Sequence, residues 1–134
     1  MTGLVLKLAP RERILVNGAV IENGDKRSKV SILTPNTSIL RLRDAIHPDY
    51  VNSPVLRICY ICQLVLTGDA LEDEGRRQVL YGIEQLSQVF RDLDSGSLLD
   101  SASNAVIEGD YYGAFRKLRL LIPRESRLMA IGKP

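Results

Sequence analysis

The sequence predicts an α+β protein, a small antiparallel β-sheet or barrel-like amino-terminal part followed by a carboxyl-terminal helical bundle. Three observations predict it. Short apolar runs broken by tight Asn-Gly turns fill the amino-terminal third. From Ser53 the apolar spacing changes from a period near two to a helical one. Ser-Pro, Gly and Asp signals then punctuate the chain at helix-length intervals. With 134 residues the chain suits one or two compact domains, and 45% apolar residues is the content of a folded protein. The expected organisation is a β-rich unit over residues 1–43, a linker over 44–53 and a helical bundle over 54–134.

Leu4, Leu6 and Leu8 alternate with Val5 and Lys7, the pattern of a half-buried strand. Ile14-Leu15-Val16, Asn17-Gly18 and Ala19-Val20-Ile21 spell a two-residue hairpin, because a type I′ turn needs positive φ at both central positions. Asn23-Gly24-Asp25 marks a second turn leading into a strand at Lys29–Leu33. Thr34-Pro35-Asn36-Thr37 breaks the chain before a strand at Ser38–Leu42, and such a series suggests a small meander, sandwich or barrel.

Ser53-Pro54 reads as the cap and first residue of a helix to about Thr67, stopped by Gly68. It is apolar nearly all round, so it must be covered by the β-unit, the other helices or a second copy of the chain. A longer amphipathic helix is expected over residues 70–93, with Gly75 and Gly82 as sites for a kink and Asp94-Ser95-Gly96 as its end. Ser97-Leu98-Leu99-Asp100 has the capping-box form and opens a short helix to Glu108. A last clear helix carries Ala114, Phe115, Leu118 and Leu121 inward and closes before Pro123, with one further turn at Arg127–Ile131.

The net charge of +2 is small, but it is segregated. Residues 1–43 hold eight Lys/Arg against three Asp/Glu, residues 69–110 hold three against ten, and residues 111–134 hold six against one. Two basic ends around an acidic middle can aim a polyanion at one surface, although an ordinary solvated exterior accounts for the same charges.

An enzyme is not expected. The single histidine, His47, lies before Pro48 in the linker, without a motif for a nucleophile or an orienting carboxylate. The glycines form neither a G-x-G-x-x-G nor a P-loop pattern, so no cofactor is expected. Cys59 and Cys62 lack the second ligand pair that zinc needs and the βαβ setting of a redox pair; on a helix they behave as small hydrophobes. Glu72-Asp73-Glu74 complements a helix dipole, and no metal is expected. The longest apolar stretch, Ile58–Cys62 resumed at Leu64, is far shorter than the ~20 residues of a membrane span, and no secretory signal is read at the start. The protein is therefore expected to be soluble and cytoplasmic.

Binding is the better prospect. Lys26, Arg27 and Lys29 stand at and after the second turn, while Arg41 and Arg43 share a face if the strand continues that far. With Arg11 and Arg13 nearby, these residues are the candidate RNA-binding site, since phosphates are recognised mainly by Lys and Arg. Residues 1–49 contain no Phe, Tyr or Trp, so base stacking on aromatics is excluded on this front. Arg116, Lys117 and Arg119, near Tyr111 and Tyr112, form a second basic set.

Leu6-Lys7-Leu8-Ala9-Pro10, Asn17-Gly18-Ala19-Val20, Asn23-Gly24-Asp25 and Arg27 together resemble the amino-terminal signature of the FlbT family, flagellin regulators of alphaproteobacteria. The resemblance continues through Ile39-Leu40-Arg41, Asp44-Ala45-Ile46, Pro48 and Ser53-Pro54, and returns at Tyr111-Tyr112-x-Ala114, Lys117-Leu118-Arg119-x-Leu121-Ile122, Glu125 and Arg127-Leu128. The cysteines do not belong to that pattern. The resemblance implies a post-transcriptional regulator that binds the 5′ untranslated leader of flagellin mRNA, promotes its decay and couples flagellin synthesis to flagellum assembly. Members differ in sign between repression and activation, and the family works alongside a second small flagellin-modulating protein. A rival expectation is a protein-interaction module of flagellar biogenesis that reaches the mRNA only through a partner. The nearly all-apolar helix over residues 54–67 and the aromatic-free front favour the rival.

Overall fold

The computed structural model describes residues 4–17, 19–35, 37 and 39–131. Five strands come first: β1 (Leu4–Leu8), β2 (Arg13–Val16), β3 (Ala19–Glu22), β4 (Ser28–Ile32) and β5 (Ile39–Arg41). Two 3₁₀ turns at Leu42–Asp44 and Pro48–Tyr50 lead to helices α1 (Pro54–Leu66), α2 (Glu72–Ser87), α3 (Leu93–Ile107), α4 (Tyr111–Arg119) and α5 (Ile122–Ile131). This is the expected α+β arrangement.

The strands form two small antiparallel sheets rather than a closed barrel: β1 with β4, and β3-β2-β5. The β2–β3 hairpin has the expected register, Val16 opposite Ala19, with Asn17 at φ 49°. Gly18 and Ser38 lie outside the described residues. Strand β4 passes its neighbour in sequence and pairs with β1, Leu6 opposite Val30 and Lys7 opposite Lys29. Its partner could not be read from turn signals, which report only local reversals.

Adjacent residues of β2 face opposite ways, and both are buried. Ile14 joins Leu6, Leu8 and Ile39 between the two sheets, while Leu15 and Leu40 belong to the same core as the helices. The three-stranded sheet is thus a middle layer, covered by β1–β4 on one side and by helices on the other. Phe115, Leu118, Val55 and Val79 are fully buried on the helical side; each such side chain contributes roughly 1.5–3 kcal/mol on leaving water.

Helix α1 starts as the sequence predicts. Ser53 caps it, accepting the Leu56 N–H at 3.3 Å, and Gly68 ends it at φ 80°. Its apolar surface is covered within the chain by α4 and α2, with a smaller contact to α5. The connection before it is pinned by Gln63, whose side-chain carbonyl accepts the Ile46 N–H at 2.7 Å and whose amide donates to the Ile46 carbonyl at 3.0 Å.

Three boundaries differ from expectation. Helix α2 stops at Ser87 rather than 93, and α3 begins at Leu93 and runs through Gly96. The cap is Asp92, which accepts the Ser95 N–H at 2.9 Å, while fully buried Ser95 accepts from Arg124 at 2.8 Å. That long-range bond fixes the turn which the local pattern assigned to a break. Pro123 lies in the first turn of α5 instead of ending a helix, because the first-turn N–H groups have no intrahelical acceptor to lose. Finally, Gly75 and Gly82 stand within continuous α2, facing α1; a Cβ on Gly82 would sit 2.6 Å from Ile58 Cδ1, so the glycine admits close helix packing.

Candidate nucleic-acid interface

The turn Ala9-Pro10-Arg11-Glu12 reverses the chain between the two sheets. The Glu12 N–H donates to the Ala9 carbonyl at 3.1 Å and Arg11 adopts φ 62°, the arrangement of a type II turn with Pro at its second position. The turn is locked from the neighbouring loop. Arg11 N–H donates to the Gly24 carbonyl at 2.8 Å, and the Asn23 side-chain amide donates to Ala9 and Lys26 carbonyls at 2.8 and 2.9 Å. Ser28 Oγ donates to Asn23 Oδ1 at 2.8 Å. Asn23, expected only to form a turn, therefore ties the end of β1 to the start of β4.

Between these parts lies an open groove of about 900 Å³, lined by Lys7, Leu8, Ala9, Glu12, Arg27, Ser28, Lys29, Arg41 and Arg43. Five cations surround one carboxylate. Glu12, whose side chain is only 7% exposed, accepts the Ala9 N–H at 2.9 Å and Arg41 Nη1 at 2.8 Å, with Arg43 Nε at 3.8 Å. The Ala9 N–H foremost, and then the two guanidinium groups, hold its carboxyl below the usual glutamate value. Arg41 also donates to the Lys7 carbonyl at 3.0 Å, so its guanidinium is a fixed part of the floor. Arg43 is free to extend, its side chain 64% exposed. Lys7 and Lys29 lie directly opposite on β1 and β4. Neither they nor Arg27 pair with a carboxylate among the described residues.

Four of the seven candidate residues, Arg27, Lys29, Arg41 and Arg43, come together here. The route for the last two differs from expectation: β5 ends at Arg41, Arg43 sits in the following 3₁₀ turn, and both are gathered by Glu12 rather than by a shared strand face. Lys26 is exposed on the adjoining turn, outside the lining. Arg11 and Arg13 are not brought in; they approach Glu22 at 3.9 and 2.9 Å. Lys7 was missed, although its place among the outward residues of β1 was legible. Only the pairing with β4 sets it against Lys29.

The family model described as "Flagellar protein FlbT" matches residues 4–129. This chain belongs to the FlbT family. It is 33% identical to the probable flagellum biosynthesis repressor protein FlbT of Rhodopseudomonas palustris, covering 95% of this chain and 98% of that protein. Identity to the probable flagellum biosynthesis repressor protein FlbT 1 of Bradyrhizobium diazoefficiens is 30%, over 93% and 84% of the two chains. To the flagellum biosynthesis repressor protein FlbT of Caulobacter vibrioides it is 29%, over 92% and 86%. No solved structure matches. The FlbT match includes every groove residue.

Elsewhere in this FlbT-family chain, His47 is exposed and its Nδ1 accepts the Asp49 N–H at 3.1 Å, capping a 3₁₀ turn. Cys59 and Cys62 are free, fully buried thiols; burial pushes Cys59 up to about 12 and Cys62 up as well, so neither ionises near neutral pH. Among the described residues no group of three or more His, Cys, Asp or Glu could hold a metal, and no helix is long and apolar enough to cross a membrane.

Proposed function

We propose that this chain is a non-catalytic, cytoplasmic, post-transcriptional regulator of flagellin synthesis. The groove grips phosphates of the 5′ untranslated leader of flagellin mRNA, and the bound protein promotes degradation of the message, coupling flagellin supply to flagellum assembly. A second small flagellin-modulating protein acts alongside it. The observation that carries this reading is the Lys7–Lys29 pair, two cations opposite each other beside Arg27, with no carboxylate partner among the described residues. Like charges directly opposite cost stability in a sheet, and a phosphate between them removes that cost. The names of the Bradyrhizobium and Caulobacter relatives supply the biological setting. No aromatic residue lines the groove, so the contact is one of charge and shape.

Leader binding as a function of salt tests this reading. Each single-strand phosphate contact contributes roughly 0.7 to the logarithmic slope. Replacing Lys7, Arg27 and Lys29 together by Gln is expected to flatten the slope by about 2 with circular dichroism unchanged. An unaltered slope removes the groove from the RNA site.

A second reading, an interaction module that reaches the mRNA only through a partner protein, is favoured by β3. This strand is one edge of the middle sheet, and all four residues are exposed, Val20 at 61% and Ile21 at 45%. A partner strand can add to such an edge. Purified chain mixed with purified leader separates the two readings, since failure to bind without a partner decides for the second.

A further inference from the structure

Arg116, Lys117 and Arg119 stand in the carboxyl-terminal half of α4, where the helix dipole favours cations. With Gly113 and Leu120 they line a hollow of about 430 Å³. Two of them are backed by rings: the Arg116 guanidinium lies 6.0 Å from the Tyr112 centroid, and that of Arg119 lies 5.4 Å from Phe115. Arg119 also reaches Asp44 at 3.5 Å. Asp44 directly follows the groove residue Arg43 within one 3₁₀ turn. The hollow and the groove, far apart in sequence, thus meet at that turn. Together they present eight Lys/Arg against Glu12 and Asp44.

We propose that the α4 hollow continues the β-groove as one track for a single RNA strand. The groove holds phosphates of one segment. The strand then crosses the turn at Leu42–Asp44, and Arg116 and Lys117 take the phosphates of the next segment. The Arg116 guanidinium, supported by the Tyr112 ring, offers a flat face on which a base stacks, which the aromatic-free groove does not provide. The inference rests on the reading of the groove as the leader site, and it adds a second contact surface on a different element.

The test titrates two RNAs in salt, the full leader and a short leader oligonucleotide sized to fill the groove alone. Three proteins are compared: wild type, Lys7→Gln/Lys29→Gln and Arg116→Gln/Lys117→Gln. Both α4 residues are exposed, so the second variant is expected to stay folded, with circular dichroism unchanged. On the full leader each variant is expected to lower the slope by roughly 1.4. On the short oligonucleotide only the groove variant does so. A full-leader slope that responds to the groove variant and not to the α4 variant overturns the track and leaves the groove reading standing. A leader that wild type does not bind, or a slope that neither variant changes, removes the groove reading and the track with it.

Discussion

The carboxylate of Glu12 meets the guanidinium of Arg41 at 2.8 Å across 29 residues of chain, and Arg41 in turn donates to the Lys7 carbonyl of the other sheet beneath the groove. Glu12 Oε1 takes the Ala9 N–H at 2.9 Å, so one side chain closes the tight turn and anchors the basic floor. Glu12→Gln is expected to cost about 1–3 kcal/mol at neutral pH, because it leaves Arg41 without its anion in a partly buried place. The folded carboxyl titrates below its unfolded value of 4.5. Its contribution is therefore complete above that value and is lost as pH falls through the folded pKa. Urea midpoints measured from neutral pH into this acid range should fall less steeply for Glu12→Gln than for wild type; parallel acid limbs would show that Glu12 is not the coupled group.

Lys29→Glu places an opposite charge across from Lys7. Replacing a like-charge cross-strand pair by an attractive one is expected to stabilise the sheet by roughly 0.2–1 kcal/mol. The same change puts a second carboxylate into the groove and should weaken leader binding at least tenfold, about 1.4 kcal/mol. Urea unfolding and a leader titration at fixed salt measure the two effects. Unchanged binding in a stabilised protein would take Lys29 out of the site.

Arg11 occupies the left-handed region at φ 62°, at the turn position where glycine is preferred. Arg11→Gly removes a backbone penalty of roughly 1–2 kcal/mol, offset by the extra unfolded-state freedom of glycine, about 0.5–1 kcal/mol. The ion pair given up is exposed and long, 3.9 Å to Glu22. The thermal midpoint is expected to rise slightly. The salt slope of leader binding should stay at the wild-type value, since Arg11 lies outside the groove lining. A flattened slope would return Arg11 to the site.

Leu40 is 1% exposed and connects the middle sheet to the helical core. Leu40→Ala is expected to cost about 2–5 kcal/mol. If the middle sheet and helices unfold together, far-ultraviolet circular dichroism, which reports the helices, will lose its midpoint by the same amount. A helical signal that keeps its midpoint would show that the layers unfold separately.

The sequence by itself determined the elements whose causes are local. Asn17 with its apolar flanks made the hairpin, Ser53-Pro54 set the start of α1, and Gly68 and Gly109, at φ 80° and 81°, ended α1 and α3. It also determined the absence of aromatics from the amino-terminal front, hence a surface suited to charge rather than stacking. Only the tertiary structure decided which cations stand together. Pairing of β4 with β1 is a long-range choice set by burying Leu6, Leu8, Ile14 and Ile39 between two sheets, and that choice puts Lys7 opposite Lys29. The same folding gathers Arg41 and Arg43 on Glu12, whereas the local hairpin register already sets Arg13 opposite Glu22. It also ties Ser95, in the first turn of α3, to Arg124 of α5. Turn and cap preferences act over three or four residues, whereas an ion pair or a strand partner is selected by burial across the whole chain, and no short window of sequence contains it.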